Sequence, residues 1–576
     1  MTHLEKVRKL MQAQGIDAYI ITKLDPHVSE YPHPSYNEVA FVSGFEGSNA
    51  TAVVTKDKAY VWTDNRYYLQ AEKELTTGWE MQKMEPGHVD YISFAAEAAK
   101  GGTLAFDGKT LTTASVGLLN RKKTPESAIK HDVNLVAQVW EDKPVMTREH
   151  IWQYPLKYHG ETSESKIKKV REAMKQKGGD VYVLSSIDDI AWLLNLRAIG
   201  AENSFDFYGF VAMTQTELIL FVNQQTGDEL EGITTKPYEA IWDYAKAKAG
   251  ETVLFCPART SYTLASVFTG KKITLPQDIT TNLKARKNLV EIENLRLANE
   301  KEAVAFTKLM KQVKTNPTLG TEYDVVQRLE KIRKGLEGYH TWSFSPIAGY
   351  AENGAIVHYR VDPKAAKTIE KEGLLLVDSG AVYQEGTTDI TRTFVLGNVT
   401  EEMKQAYTAV LRGNIALSMA KFPKGTCGYH LDAFARMPLW QMGLNFGHGT
   451  GHGIGHMLNV HEGPQNISPK AVEVPLEEGM VLSNEPGLYK TGAYGIRLEN
   501  TIVVQKDETT DFGQFYTFET VSYIPFDKDA IVVEALTSEE LKWLNAYHAT
   551  TYEKVSPYLC EEGKTWLKDV TAALSV

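Results

Sequence analysis

With 576 residues, of which 43% are hydrophobic and 23% charged, the chain has an ordinary globular balance and is too long for one core. A net charge of −11 argues against nucleic acid or an anionic membrane surface as its main partner. No run approaches the ~18 uninterrupted apolar residues of a membrane span. The opening stretch MTHLEKVRKLMQAQG lacks an apolar signal core, and three scattered cysteines (Cys256, Cys427 and Cys560) do not make a disulfide scaffold. The cytoplasm is the expected compartment.

The N-terminal half reads as one module written twice. Leu4, Val7, Leu10 and Met11 mark a helix that Gly15 ends, and residues 17–21 (DAYII) form a buried strand. Ile167, Val170 and Met174 mark a second helix, closed at Gly178 and Gly179 and followed by DVYVL at 180–184. Residues 51–64 and 209–222 each read as a hairpin around a polar turn. This repeated helix–strand–hairpin rhythm predicts a duplicated α/β domain. A seam is expected around 278–287, then a long amphipathic helix over roughly 290–313. The last region, 286–576, contains the apolar run GLLLV at 373–377, a Gly- and His-rich loop at 447–463, and a helical tail after Leu536.

That last region carries two aspartates, one histidine and two glutamates: Asp378, Asp389, His452, Glu485 and Glu499. Asp378 ends the run LLLV and Asp389 lies in the alternating TTDITRTFVLG, with the midpoint between them at Tyr383/Gln384 beside Gly386. A tight turn there brings the two carboxylates nearly opposite one another. Glu485 ends MVLSNE, Glu499 lies in GIRLEN, and their midpoint is Gly492, another plausible turn. Four carboxylates brought together repel unless cations intervene. The set therefore fits a two-metal hydrolase, in which bound ions make a nucleophile from water near neutral pH. Solvated surface acids near turns are the competing reading.

Residues 340–461 hold seven of the 15 histidines: His340, His358, His430, His448, His452, His456 and His461. The loop GHGTGHGIGHMLNVHEGP runs into an apolar segment, so its histidines should be buried and partnered. His340 and His430 read as ordinary structural histidines.

The segments NGAIVHY, LVDSGAVYQEGTTDITRT, GHGTGHGIG, NVHEGP, NEPGLY and GIRLEN resemble the pita-bread metallopeptidases, and among them the long three-domain Xaa-Pro aminopeptidases. HVSEY, FVSGFEGS, WTDNRYYLQAEK, DDIAWLLNLR and LTSEELKWLNAYH extend the resemblance over essentially the whole chain. It implies an α/β architecture. Two creatinase-like α/β domains (1–156 and 157–285) precede a pita-bread catalytic domain of α+β type with a helical C-terminal tail (286–576). It implies that Asp378 chelates one metal, that Asp389 and Glu499 bridge both, and that His452 and Glu485 complete the second. His358, His448 and His461 become the non-ligand histidines that orient substrate and stabilise the transition state. Arg66, in WTDNRYY, matches a family position that contacts the peptide. His456 departs from the usual pattern and is expected to be structural.

The activity implied is removal of the N-terminal residue before proline, by a hydroxide bridging two divalent ions, with Glu485 as the proton shuttle. Manganese is the usual metal; zinc, cobalt and iron are alternatives. A prolidase acting on Xaa-Pro dipeptides is the nearest rival, and a non-catalytic peptide-binding scaffold the more distant one. A homodimer is implied, with Trp440 as an exposed anchor; neither nucleic acid nor a membrane is an expected partner.

Overall fold

The structure is a computed structural model that describes every residue apart from 147–149, 201–203, 224–229, 231, 317 and 576. It divides into two compact units, Met1–Pro155 with Glu161–Leu283, and Leu156–Gly160 with Lys284–Val576. Among the described residues no helix is long and apolar enough to cross a membrane.

The first unit contains two six-stranded sheets of the same topology. One runs Glu80–Lys83, Ala59–Thr63, Thr51–Thr55, Ala18–Thr22, Thr103–Phe106, Ala128–Lys130. The other runs Thr234–Lys236, Leu218–Val222, Gly209–Met213, Val181–Leu184, Val253–Phe255, Lys272–Thr274. In both, the hairpin and its junction with Ala18–Thr22 or Val181–Leu184 are antiparallel and the other three pairs are parallel. Each is preceded by a helix with a threonine N-cap and a left-handed glycine after its last turn. The first is His3–Gln14, between Thr2 and Gly15; the second is Ser163–Lys177, between Thr162 and Gly178.

The motif HVSEY has a structural role here. Asp25 accepts the amides of His27 and Ser29 and the hydroxyl of Tyr208. The buried His27 ring donates from Nδ1 to the Ser185 carbonyl and so accepts from Tyr238 at Nε2. Burial, ahead of the opposing Asp25 charge, holds this imidazole below its ordinary value and neutral.

In the second unit the antiparallel strands Ile347–Tyr350, Gly373–Asp378 and Thr391–Leu396 lie between two helical layers. Leu375, Val377 and Phe394 pack with residues of Leu289–Thr315 and Glu322–Arg333. The alternating neighbours Leu374 and Val395 pack with Glu401–Ser418. A strand covered on both faces reads as a continuous apolar run, which is why GLLLV shows no alternation. The long helix expected over 290–313 spans Leu289–Thr315, set by an Asn288–Glu291 capping box. A six-stranded sheet places Val481–Asn484 between Asn500–Thr510 and the short Gly451–Gly453. The tail forms helices Ser538–Val555 and Glu561–Val570.

The tail carries a buried histidine. His548 Nε2 accepts the Phe526 amide at 3.2 Å, which requires a neutral ring. Burial, with the charges of Lys528 and Arg392, holds its pKa down to about 3, against 6.5 ordinarily. Between those values the unfolded chain binds a proton that the folded chain refuses, so stability falls as pH drops through this window. At 1.4 kcal/mol per pH unit, moving from pH 7 to pH 5 should cost about 2 kcal/mol through this residue. His548→Gln keeps an acceptor without the titration. Its melting temperature should fall less between pH 7 and pH 5 than that of the wild type, as thermal unfolding at both pH values would register.

Candidate metal centre

Two hairpins present the four acids. In the first, Asp378 pairs with Thr391 and Tyr383 with Gly386, so the turn is Gln384–Glu385, one residue further on than the sequence midpoint. Asp389 therefore sits diagonal to Asp378 on the same face and not across from it. In the second, Val481–Asn484 pairs with Asn500–Thr510, ending at Asn484↔Asn500, and the register resumes at Gly487↔Arg497. Glu485 and Glu499 thus lie opposite each other, and the turn at Gly492 has the positive φ of 74° that glycine tolerates.

His452 enters between strands. Gly451–Gly453 is squeezed between Val481–Asn484 and Glu462–Ile467. A Cβ at Gly451 would lie 2.0 Å from the Ser483 carbonyl oxygen, and one at Gly453 2.1 Å from that of Glu462. Only His452, between them, has room for a side chain. Its Nδ1 donates to the Gly453 carbonyl at 2.9 Å, which turns Nε2 inward, 3.2 Å from Asp389 Oδ2 and 3.5 Å from Glu485 Oε1.

Ligand atoms of Asp389, His452 and Glu499 all fall within 4.8 Å of one another. Asp378, Asp389 and Glu499 are buried, while His452 and Glu485 keep 22% and 18% side-chain exposure and form the open side. Asp378 Oδ1 and Glu499 Oε1 are buried without a hydrogen-bond partner, although each carboxylate's other oxygen is bonded. Burial, then the mutual repulsion of the acids, holds Glu499 far above the carboxylate range. Asp378 is raised by burial against the pull of Arg497, and Glu485 is pushed up to about 7, burial again leading. His452 is lowered by burial but lifted more by its Asp389 hydrogen bond and the neighbouring acids, to about 9. Oxygen-rich, crowded and reluctant to ionise without cations, the set fits hard or borderline divalent ions.

Several contributors were not among the sequence candidates. Arg497 donates to Asp378 Oδ2 from Nη2 at 2.6 Å and from Nε at 3.1 Å, and to the Tyr489 hydroxyl at 2.6 Å. The Tyr489 hydroxyl therefore donates onward to His448 Nε2 at 2.8 Å, while His448 Nδ1 donates to the Gly449 carbonyl. Thr391 donates to Glu499 Oε2 at 2.7 Å, and Ser483 to Glu485 Oε1 at 3.1 Å. Arg497 stands two residues before Glu499 in GIRLEN and so shares its strand face, a cation amid four acids; that spacing was the available signal.

The remaining candidates fall in several places. The His461 and His452 rings meet edge-to-face at 4.3 Å. His358 follows the turn Ala351–Ala355 and the preceding carbonyl, Val357, accepts from Arg497. Glu322 gathers that loop by accepting from the Tyr350 and Lys367 amides, Asn353 Nδ2 and the Tyr359 hydroxyl. His456 donates to the Tyr158 carbonyl, which fits a structural role. His340 bonds Gln384, and His430 accepts the Cys427 amide at a helix start. Arg66 belongs to the first unit, where Asp64 holds its guanidinium fork through contacts of 2.7 and 2.8 Å.

Removing Arg497 would leave Asp378 buried without its counter-charge. Arg497→Met should therefore destabilise the metal-stripped chain by about 3–5 kcal/mol in urea unfolding, and saturating divalent metal should recover part of the loss.

Metallopeptidase family M24 matches residues 293–506, and the C-terminal region of peptidase M24 matches 514–574. Creatinase/prolidase N-terminal domains match 3–132 and 142–291. A probable Xaa-Pro aminopeptidase P of Laccaria bicolor is 37% identical across 98% of this chain and 92% of its own length. The crystal structure of an X-prolyl aminopeptidase from Caenorhabditis elegans, described as a cytosolic enzyme with a di-nuclear active site, superposes with a TM-score of 0.94. It is 29% identical and covers 100% of both chains. A Xaa-Pro dipeptidase from Bacillus anthracis, 25% identical with a TM-score of 0.50, covers 64% of this chain and 99% of its own. The chain belongs to the Xaa-Pro aminopeptidase P family of M24 metallopeptidases.

Proposed function

We propose that this protein is a metal-dependent aminopeptidase that removes the N-terminal residue from peptides with proline in second position. The observation that carries the reading is the convergence of Asp378, Asp389, His452, Glu485 and Glu499, with one oxygen each of Asp378 and Glu499 left without a partner. Full-length similarity to aminopeptidases P, against 64% coverage by the dipeptidase, favours the aminopeptidase over the prolidase. The chain's parts are a first domain over 1–156, a second over 157–285 and the catalytic domain over 286–576.

Asp378, Asp389, His452, Glu485 and Glu499 would hold the two ions, Asp378 serving one, His452 and Glu485 the other, and Asp389 and Glu499 both. Two divalent ions bound there, manganese being the family's usual metal and in agreement with the oxygen-rich donor set, would supply a nucleophile from water near neutral pH and offset the acids' repulsion. Arg497 holds Asp378 in place, and the His448–Tyr489 contact holds Arg497. Glu485, on the open side, takes the proton from the attacking water and returns it to the departing prolyl nitrogen, which has no N–H of its own. His461, against His452, together with His358 and His448, orients the substrate carbonyl and donates to its developing charge. Arg66, kept in shape by Asp64, contacts the peptide. The three cysteines are unpaired, in keeping with a cytoplasmic protein.

The protein is a homodimer in this reading. Phe434, Met437, Trp440 and Met442 are 44%, 48%, 50% and 46% exposed, an apolar stripe along and just beyond the helix Gly428–Trp440. Trp440→Glu is expected to turn the dimer into a monomer in sedimentation analysis.

Cleavage of a Xaa-Pro-Pro tripeptide beside a Xaa-Pro dipeptide tests the activity. Tripeptide cleavage that stops on chelation and returns with manganese is expected, and dipeptide-only cleavage would point to a prolidase. Glu485→Gln with metal retained should lower kcat by about 10²-fold or more; near-normal turnover would end its assignment as proton shuttle.

A further inference from the structure

Glu485 and Glu499 sit where their own sheet stops holding them. The ladder between Val481–Asn484 and Asn500–Thr510 ends at Asn484↔Asn500, and the hairpin beyond resumes at Gly487↔Arg497. In the gap the amide of Glu485 turns to the Thr450 carbonyl and that of Glu499 to the Thr391 carbonyl, so each points away from the other strand. Pro486 supplies no N–H. One main-chain bond crosses the gap, from the Leu498 amide to the Pro486 carbonyl at 3.3 Å, and a side chain from a neighbouring helix adds a second link. Asn414, fully buried on the helix Glu401–Ser418, donates from Nδ2 to the Asn484 carbonyl at 2.8 Å and to the Leu498 carbonyl at 3.0 Å.

Those two carbonyls belong to the peptide units whose nitrogens are Glu485 N and Glu499 N. Each unit is therefore pinned at both ends: its N–H by Thr450 or Thr391, its C=O by one side-chain amide that both share. Both partners are acceptors, so only the NH2 end of Asn414 can face them. The clamp is itself held, because Asn484 Nδ2 donates to the Asn414 carbonyl and to Ser418 Oγ, and Ser418 donates to the same carbonyl.

We propose that Asn414 is a positioning residue that sets the separation of Glu485 from Glu499, and thereby the affinity for the second of the two ions. The inference rests on the metal-centre reading above. In that reading Glu499 would serve both ions and Glu485 only one, so a change in their separation would fall first on the ion that needs both. Loss of an outer hydrogen bond to a ligand lowers metal affinity by about 10–100-fold.

The test is a Mn2+ titration of metal-stripped full-length protein, with free Mn2+ followed by electron paramagnetic resonance, beside thermal unfolding of the same samples. Wild type is expected to take up two ions, and Asn414→Ala to keep one and bind the other about tenfold or more weakly. Asn414→Ser, which retains one donor, should fall between them and covers the case in which the alanine variant does not fold. Thr408→Ala, on the same helix, loses bonds to the Lys404 and Ala530 carbonyls and the Val532 amide that do not touch the two clamped peptide units. It should lower the melting temperature while leaving both affinities unchanged, which separates positioning from general destabilisation. Two ions in the wild type with unchanged affinities in a folded Asn414 variant overturn the clamp alone. A wild type that takes up a single ion overturns the two-ion reading and the clamp with it.

Discussion

Mutual repulsion among Asp378, Asp389, Glu485 and Glu499 is the constraint on which the second unit is built. At an effective dielectric constant of about 20, two like charges 4 Å apart repel by about 4 kcal/mol, and here four acids converge with one arginine and one histidine beside them. That counter-charge is insufficient, and burial pushes Asp378, Glu485 and Glu499 upward. Cations resolve the repulsion in a way that protons cannot, because each ion can use the oxygens left without donors.

Holding such a cluster together requires that backbone and not only side chains be fixed. The strands under the acids are covered by helices on both faces, which makes the sheet rigid where the ligands leave it. At the departure points the chain relies on single polar groups with several partners. Arg392 donates to the Glu499 carbonyl, to Asn500 and to the Tyr547 hydroxyl of the tail. Glu322 gathers the loop before His358, and Asn414 ties the two glutamate strands. Each is buried and bonded to main chain, the arrangement that costs most to break.

Much of this was legible in one dimension. Local chemistry announces itself locally: Gly15 and Gly178 end their helices, and Gly492 marks a turn that puts two glutamates face to face. The run Gly-His-Gly at 451–453 marked a candidate ligand, and the structure supplies the steric reason for its glycines. The first hairpin was read one residue short, because a midpoint between two aspartates does not say which two residues make the turn. Gln384–Glu385 does, which moves Asp389 from opposite Asp378 to diagonal from it.

The ligand types, their order and the hairpins that pair them follow from the sequence itself, since side-chain chemistry and turn formation act over a few residues. The directions of those ligands were decided by tertiary structure. Asn414 lies 70 and 84 residues from the carbonyls it clamps, and Arg497 119 from the aspartate it pairs with. Partners so distant meet only once helix and sheet have packed: the spacing to Glu499 could mark Arg497 as near the acids but not which acid it pairs with, and nothing around Asn414 distinguishes it from any other buried asparagine.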